Sequence, residues 1–177
     1  MAGDATVGTL MAKDDDGDYY VEHVEWGQWE PGERDNMILA VAKRDQSRYG
    51  PRNAPVIWIE KGMADSGISA FKHMVKKLAG FRVLGHKPTG DKEIRANPFA
   101  SQCAALNVHL VEDGSWDINE WIKELCAFPM GKLVDRVDSA SGAFSRLEAG
   151  RVATGIYVYH AQPRGKKAQI RIAVCSK

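Results

Sequence analysis

Apolar and polar residues alternate in two stretches near the start of the chain. These stretches cover residues 5–13 and 19–26, and the acidic, glycine-containing segment DDDGD separates them. Alternation with a period of two is typical of a half-buried strand, and a short polar turn between two such runs favours a hairpin. The sequence therefore predicts an antiparallel β-hairpin at the start of the fold.

Helical and strand patterns then follow one another up to residue 147. Pro31 opens a helix that reaches about Arg48, and the apolar run PVIWIE at 55–60 predicts a strand buried on both faces. Further helices are predicted to end near residues 80, 106, 128 and 147, with strands at 81–84 and 107–111. This order predicts an α/β domain with a mixed β-sheet flanked by helices.

Three acidic residues stand at positions that suit a binding site. Asp135 and Asp138 are three residues apart in the helix predicted at 133–147, so both carboxylates leave one face within one turn. Glu60 ends the apolar strand and precedes a loop, which is where open α/β sheets place their ligands. The alternative is that all three acids are ordinary solvated surface residues.

Composition and charge narrow the classes of protein to consider. The 177 residues are 44% hydrophobic and 27% charged, as in a globular domain, and the net charge is +1. Nucleic-acid binding would therefore have to come from local clusters. Three cysteines without a CxxC pair fit a reducing cytoplasm, and no apolar run approaches the ~20 residues that cross a membrane. No G-x-x-x-x-G-K-[ST] motif is present, which excludes a P-loop ATPase motor of that type.

Several spaced motifs between residues 3 and 147 carry a resemblance to a known family. They include GDATVG, YYVEHVEWGQWEPGERD, IEKGMADSG, GDKEIRANPFASQCAALNVHLV, ELCAFPMGK and VDRVDSASGAF. In this order they resemble the C-terminal nuclease domain of the terminase large subunit of tailed bacteriophages and prophages. The resemblance implies a ribonuclease H-like fold and a metal-dependent endonuclease that cuts concatemeric double-stranded DNA during packaging.

The resemblance also implies a site and a biological setting. Glu60, Asp135 and Asp138 match acids of the family's motifs, which implies that they are catalytic and hold two Mg²⁺ or Mn²⁺ ions. Double-stranded DNA, the portal and the small terminase subunit are the implied partners. The implied location is the cytoplasm of the bacterial host, with no membrane association.

Four basic residues are candidates for binding the DNA backbone. Lys92 and Arg95 match the family's basic loop, whereas Lys72 and Lys76 lie on the outer face of the helix predicted before Gly80. Lysine and arginine side chains bind phosphates without reading the sequence. The alternative for the two helix lysines is a solvated face without a ligand.

The chain departs from the family pattern at two places. In the family, the acidic motif on the last core helix usually opens with a histidine and an aspartate. Leu133 and Val134 stand at those two positions in this chain. The family's first catalytic aspartate lies on a strand that precedes GDATVG, and we expect this chain to lack that strand. The alternative function is therefore a catalytically incomplete prophage remnant, or a DNA- or portal-binding module of the same fold.

Two regions are predicted along the chain. The resemblance implies that residues 1–150 form a ribonuclease H-like nuclease domain. Residues 151–177 alternate around the basic segment QPRGKK and predict a C-terminal β-hairpin extension.

Overall fold

The computed structural model describes residues 5–61 and 65–149, which contain five strands and five helices. In chain order these are β1 (Thr6–Lys13), β2 (Tyr19–Gly27), α1 (Pro31–Tyr49), β3 (Ile57–Glu60), α2 (Asp65–Lys77), β4 (Val83–His86), α3 (Lys92–Ala104), β5 (Val108–Leu110), α4 (Ile118–Ala127) and α5 (Asp135–Ala149). The chain divides into two compact units. We call residues 28–89 the small unit, and residues 5–27 together with the described chain from residue 90 the large unit.

The large unit is built on a three-stranded mixed sheet in the order β1-β2-β5. Strands β1 and β2 pair antiparallel, with an irregularity between Leu10 and Met11, and β5 runs parallel to β2. The turn after β1 needs Gly17, whose φ of 98° lies in the left-handed region that favours glycine. These pairings confirm both the predicted hairpin and the predicted α/β class with a mixed sheet.

The core of the large unit lies between this sheet and helices α3, α4 and α5. Trp121 and Val21 are fully buried, and Phe144 of α5 packs with its ring centroid 4.9 Å from that of Tyr19. Residues of all three strands and the apolar faces of the helices supply the rest of this cluster. Helix α5 packs against β1, α3 and α4.

The small unit pairs β3 and β4 in a parallel two-stranded sheet, with Glu60 opposite His86. Ala42, Met74 and Leu78 form its core, against which Ile57 and Ile59 pack. The prediction that β3 is buried on both faces is wrong, because within this unit the helices cover only the face of Ile57 and Ile59. Trp58, which points to the opposite face, keeps 40% of its surface exposed.

The described strands form two separate sheets, with β1 in one and β3 in the other. The ribonuclease H-like arrangement stays a prediction, and the C-terminal hairpin predicted at 151–177 lies outside the described residues. Within the described part of the chain, no helix is long and apolar enough to cross a membrane.

Candidate functional site

The first turn of α5 carries the two predicted acids of the large unit. Asp135 begins the helix, and the backbone N–H of Asp138 donates to the Val134 carbonyl at 3.0 Å, which closes the first turn. The prediction that Asp135 and Asp138 share one turn is confirmed. Carboxylates are stabilised at this end of a helix because the unpaired backbone N–H groups give it a partial positive charge.

Two predicted DNA-binding residues contact Asp138 directly. Nη2 of Arg95 lies 2.5 Å from one carboxylate oxygen of Asp138, and Nζ of Lys92 lies 3.4 Å from the other. The side chains of Asp138 and Arg95 are each 23% exposed, so this pair is only partly open to solvent. We call these three residues the Asp138 cluster.

The local structure of α3 explains how its two cations reach Asp138. Asp91 caps the helix by accepting the backbone N–H of Glu93 at 2.7 Å, so Lys92 is the first helical residue. Arg95 follows three residues later on the same face. It is held further by its Nη1, which donates to the Gly90 carbonyl at 2.9 Å.

A buried carboxylate that sequence reasoning missed holds the start of α5. Glu124 of α4 accepts the backbone N–H of Arg136 at 2.6 Å with one oxygen and its Nη1 at 2.9 Å with the other. The Glu124 side chain is only 3% exposed. The sequence feature that could have identified Glu124 is its position three residues after Trp121, which places it on the buried face of α4.

The same ion pair also reaches the sheet. The guanidinium of Arg136 lies 4.9 Å from the ring centroid of Trp26 on β2, within the range of a cation–π interaction. Glu124 therefore satisfies one of the unpaired N–H groups at the start of α5 and ties that turn to α4 and β2. Because Asp135 and Asp138 belong to this turn, Glu124 and Arg136 help to fix their direction.

Further contacts fasten α5 along β1. The hydroxyl oxygens of Ser139 and Thr9 are 2.9 Å apart, one turn after Asp135. Near the other end of α5, Glu148 accepts from Nζ of Lys13 at 2.7 Å and from the hydroxyl of Tyr19 at 2.6 Å. Burial by itself would lower the pKa of Lys13, but the hydrogen bond to Glu148 raises it above its ordinary value.

The remaining predicted site residues lie in the small unit. Glu60 is the last residue of β3, as the sequence predicted, and it is exposed. Lys72 and Lys76 are exposed on α2. The structure thus brings together Asp138, Lys92 and Arg95 within the large unit. That Glu60 serves the same site stays a prediction.

The donor set at α5 suits a hard divalent cation in its chemistry. Asp135 and Asp138 offer carboxylate oxygens, the ligands that Mg²⁺ and Mn²⁺ prefer. Within residues 5–61 and 65–149, no three His, Cys, Asp or Glu side chains are grouped closely enough to hold an ion. Asp138 has Arg95 and Lys92 as counterions, so a divalent cation would compete with them for its oxygens.

No family model, curated protein or solved structure matches the chain. The resemblance to the terminase nuclease domain therefore depends on the spaced motifs themselves. Three of their residues are the members of the Asp138 cluster.

Proposed function

We propose that this chain is a metal-dependent DNA endonuclease domain of the type found in the phage terminase large subunit. It would cut concatemeric double-stranded DNA during genome packaging, in the cytoplasm of a bacterial host. The observation that supports this most is the Asp138 cluster, in which an acid suited to metal binding contacts two cations suited to phosphate binding.

Hydrolysis of a phosphodiester needs both kinds of group. Asp135 and Asp138, together with Glu60 by the resemblance, would hold Mg²⁺ or Mn²⁺. When bound, such ions activate water and stabilise the leaving oxygen. Arg95 would bind a backbone phosphate through its planar guanidinium, and Lys92 would add a second positive charge.

The substrate that these groups favour is duplex DNA without a sequence preference. Contacts to phosphates position a protein on DNA but carry no base information. Cleavage should therefore weaken as salt rises, because salt competes with Lys92 and Arg95 for the phosphates. Lys72 and Lys76 on α2 would extend the same kind of contact.

The ribonuclease H-like part of the proposal comes from the resemblance. In the resemblance, a central strand joins the N-terminal hairpin and the strand ending in Glu60 into one sheet. The described strands form a hairpin sheet and a separate parallel pair that ends at Glu60.

Nicking of supercoiled plasmid in Mn²⁺ tests the proposal. The parent chain should nick, and Asp138→Asn should lose most of this activity because one metal-binding carboxylate becomes an uncharged amide. Glu120→Gln is the matched control, since Glu120 is an exposed acid of α4 with its own lysine partner, Lys123. Nicking by Asp138→Asn at the parent rate, or nicking that persists in excess chelator, would contradict the proposal.

A non-catalytic DNA-binding module is the second candidate. The ion pairs of Asp138 favour it, because Arg95 and Lys92 neutralise this acid without any metal. In that case the parent binds a labelled duplex but shows no Mn²⁺-dependent nicking. Asp138→Asn would then bind DNA more tightly than the parent, since both cations lose their internal partner.

A further inference from the structure

Arg95 has two partners within the large unit, at two different nitrogens. Nη2 donates to Asp138 at 2.5 Å, and Nη1 donates to the backbone carbonyl of Gly90 at 2.9 Å. A guanidinium has five N–H donors in a planar fork, so it can turn from a carboxylate to a phosphate while one edge remains anchored. The Gly90 carbonyl is such an anchor.

The charges of the cluster oppose simultaneous binding of Arg95 and a divalent cation to Asp138. One carboxylate with two cations already carries a net positive charge. Adding a doubly charged ion at the same oxygens would place like charges within a few ångströms in a partly buried site. A divalent cation and the guanidinium of Arg95 therefore compete for the carboxylate of Asp138.

Lys92 is the weaker of the two counterions. Its Nζ is 3.4 Å from a carboxylate oxygen of Asp138, and its side chain is 50% exposed. Water can therefore hydrate the Lys92 ammonium group when its contact with Asp138 is lost. Arg95 is less exposed and lies closer. The competition with a metal is therefore decided mainly by Arg95.

We propose that Arg95 couples the binding of DNA to the binding of metal. Without ligands its guanidinium holds Asp138, and when a DNA phosphate takes the guanidinium, Asp138 becomes available to a divalent cation. Each ligand removes the obstacle to the other, and the coupling is reciprocal because it is a property of the binding free energies. This inference rests on the proposed function, since it takes duplex DNA and a divalent cation as the ligands.

The first test is a calorimetric titration of Mn²⁺ into the full chain without DNA. Arg95→Gln should bind Mn²⁺ about 5-fold more tightly than the parent or better, the size expected of a typical coupling. Lys123→Gln is the matched control, because it breaks a surface pair with Glu120 away from the cluster, and it should bind Mn²⁺ like the parent. Thermal melting of each variant shows that it is folded.

The second test measures the affinity for a labelled duplex by anisotropy at constant ionic strength, with and without Ca²⁺. Ca²⁺ should tighten DNA binding by the parent about 5-fold or more, and this tightening should vanish in Arg95→Gln. Arg95→Lys keeps a positive charge but loses the planar guanidinium. It should show only part of the Ca²⁺-dependent tightening.

The outcomes separate this inference from the proposed function. Equal Mn²⁺ affinity in parent and Arg95→Gln would overturn the coupling while leaving a metal-binding nuclease in place. Mn²⁺ binding by neither protein would overturn both. Ca²⁺-dependent tightening that persists unchanged in Arg95→Gln would show that another residue carries the coupling.

Discussion

Glu124 shows, at the scale of single residues, how a buried charge fixes the start of a helix. Its carboxylate is enclosed between α4 and α5 and has one principal partner, the backbone and side chain of Arg136. Removing one member of a buried ion pair leaves the other charge uncompensated, which costs far more than an exposed pair contributes.

The first prediction concerns this ion pair. Glu124→Ala should lower the free energy of unfolding by about 3–5 kcal/mol, because the guanidinium of Arg136 and a helix N–H lose their acceptor. Glu124→Gln should cost less, since its amide oxygen still accepts one hydrogen bond. Denaturation with urea measures both variants. A loss within ~0.5 kcal/mol for Glu124→Ala, which is typical of surface substitutions, would show that the pair does not hold α5.

A second residue-scale prediction concerns alkaline pH. Burial, and then the hydrogen bond to Asp14, raise the pKa of Tyr20 to about 12 from its ordinary value of 10.0. The unfolded chain therefore loses this proton at lower pH than the folded chain does. The contribution of the Tyr20 hydroxyl to the free energy of unfolding is therefore fully present below about pH 10. It is lost as the pH rises from about 10 to about 12.

Tyr20→Phe tests this assignment. Its free energy of unfolding should fall less steeply between pH 9.5 and 11.5 than that of the parent. A residual slope is expected, because the pKa values of Lys13 and Tyr19 are also raised. Parallel pH profiles for parent and Tyr20→Phe would contradict the assignment.

Only part of the site can be predicted from local sequence. The spacing of Asp135 and Asp138 is enough to place them in one helical turn, because helix geometry is local. The contact of Arg95 with Asp138 joins residues 43 positions apart and depends on how α3 packs against α5. Periodicity contains no information about that packing, so the pairing was not predicted.

At the scale of elements, α5 is held mainly by its apolar face. Phe144 lies in contact with Tyr19 of β2 and Phe99 of α3, at centroid distances of 4.9 Å and 5.8 Å. Asp135 and Asp138 occupy its first turn and are partly exposed. Packing along the length of the helix therefore determines where the Asp138 cluster lies.

Phe144→Ala should destabilise the chain by about 3–5 kcal/mol, because it removes a buried ring and leaves a cavity. Leu133→Ala is the control. Leu133 is about half exposed just before α5, and its truncation should cost little. Equal losses in the two variants, measured by urea denaturation, would show that α5 is not held by this cluster.

Elements were predicted better than their pairing. The hairpin and the five helices follow from hydrophobic periods of 2 and about 3.6, and their observed bounds lie close to the expected ones. The short run PVIWIE has no clear period, which is why the exposure of Trp58 was not foreseen. The division of the strands into two sheets depends on long-range pairing and was likewise not predicted.

At the scale of the whole molecule, the resemblance assigns Glu60, Asp135 and Asp138 to one reaction. If these acids hold metal for one reaction, they should act as a set. Residues that act as a set are strongly non-additive, since losing one removes most of what the set achieves.

The most direct measurement of this claim is the single-turnover rate of Mn²⁺-dependent nicking for four proteins. These are the parent, Glu60→Gln, Asp138→Asn and the double variant. We predict that each single substitution lowers the rate by at least about 10²-fold and that the double variant is no slower than the worse single variant. A parent rate in Glu60→Gln, or losses that multiply in the double variant, would contradict a shared metal site.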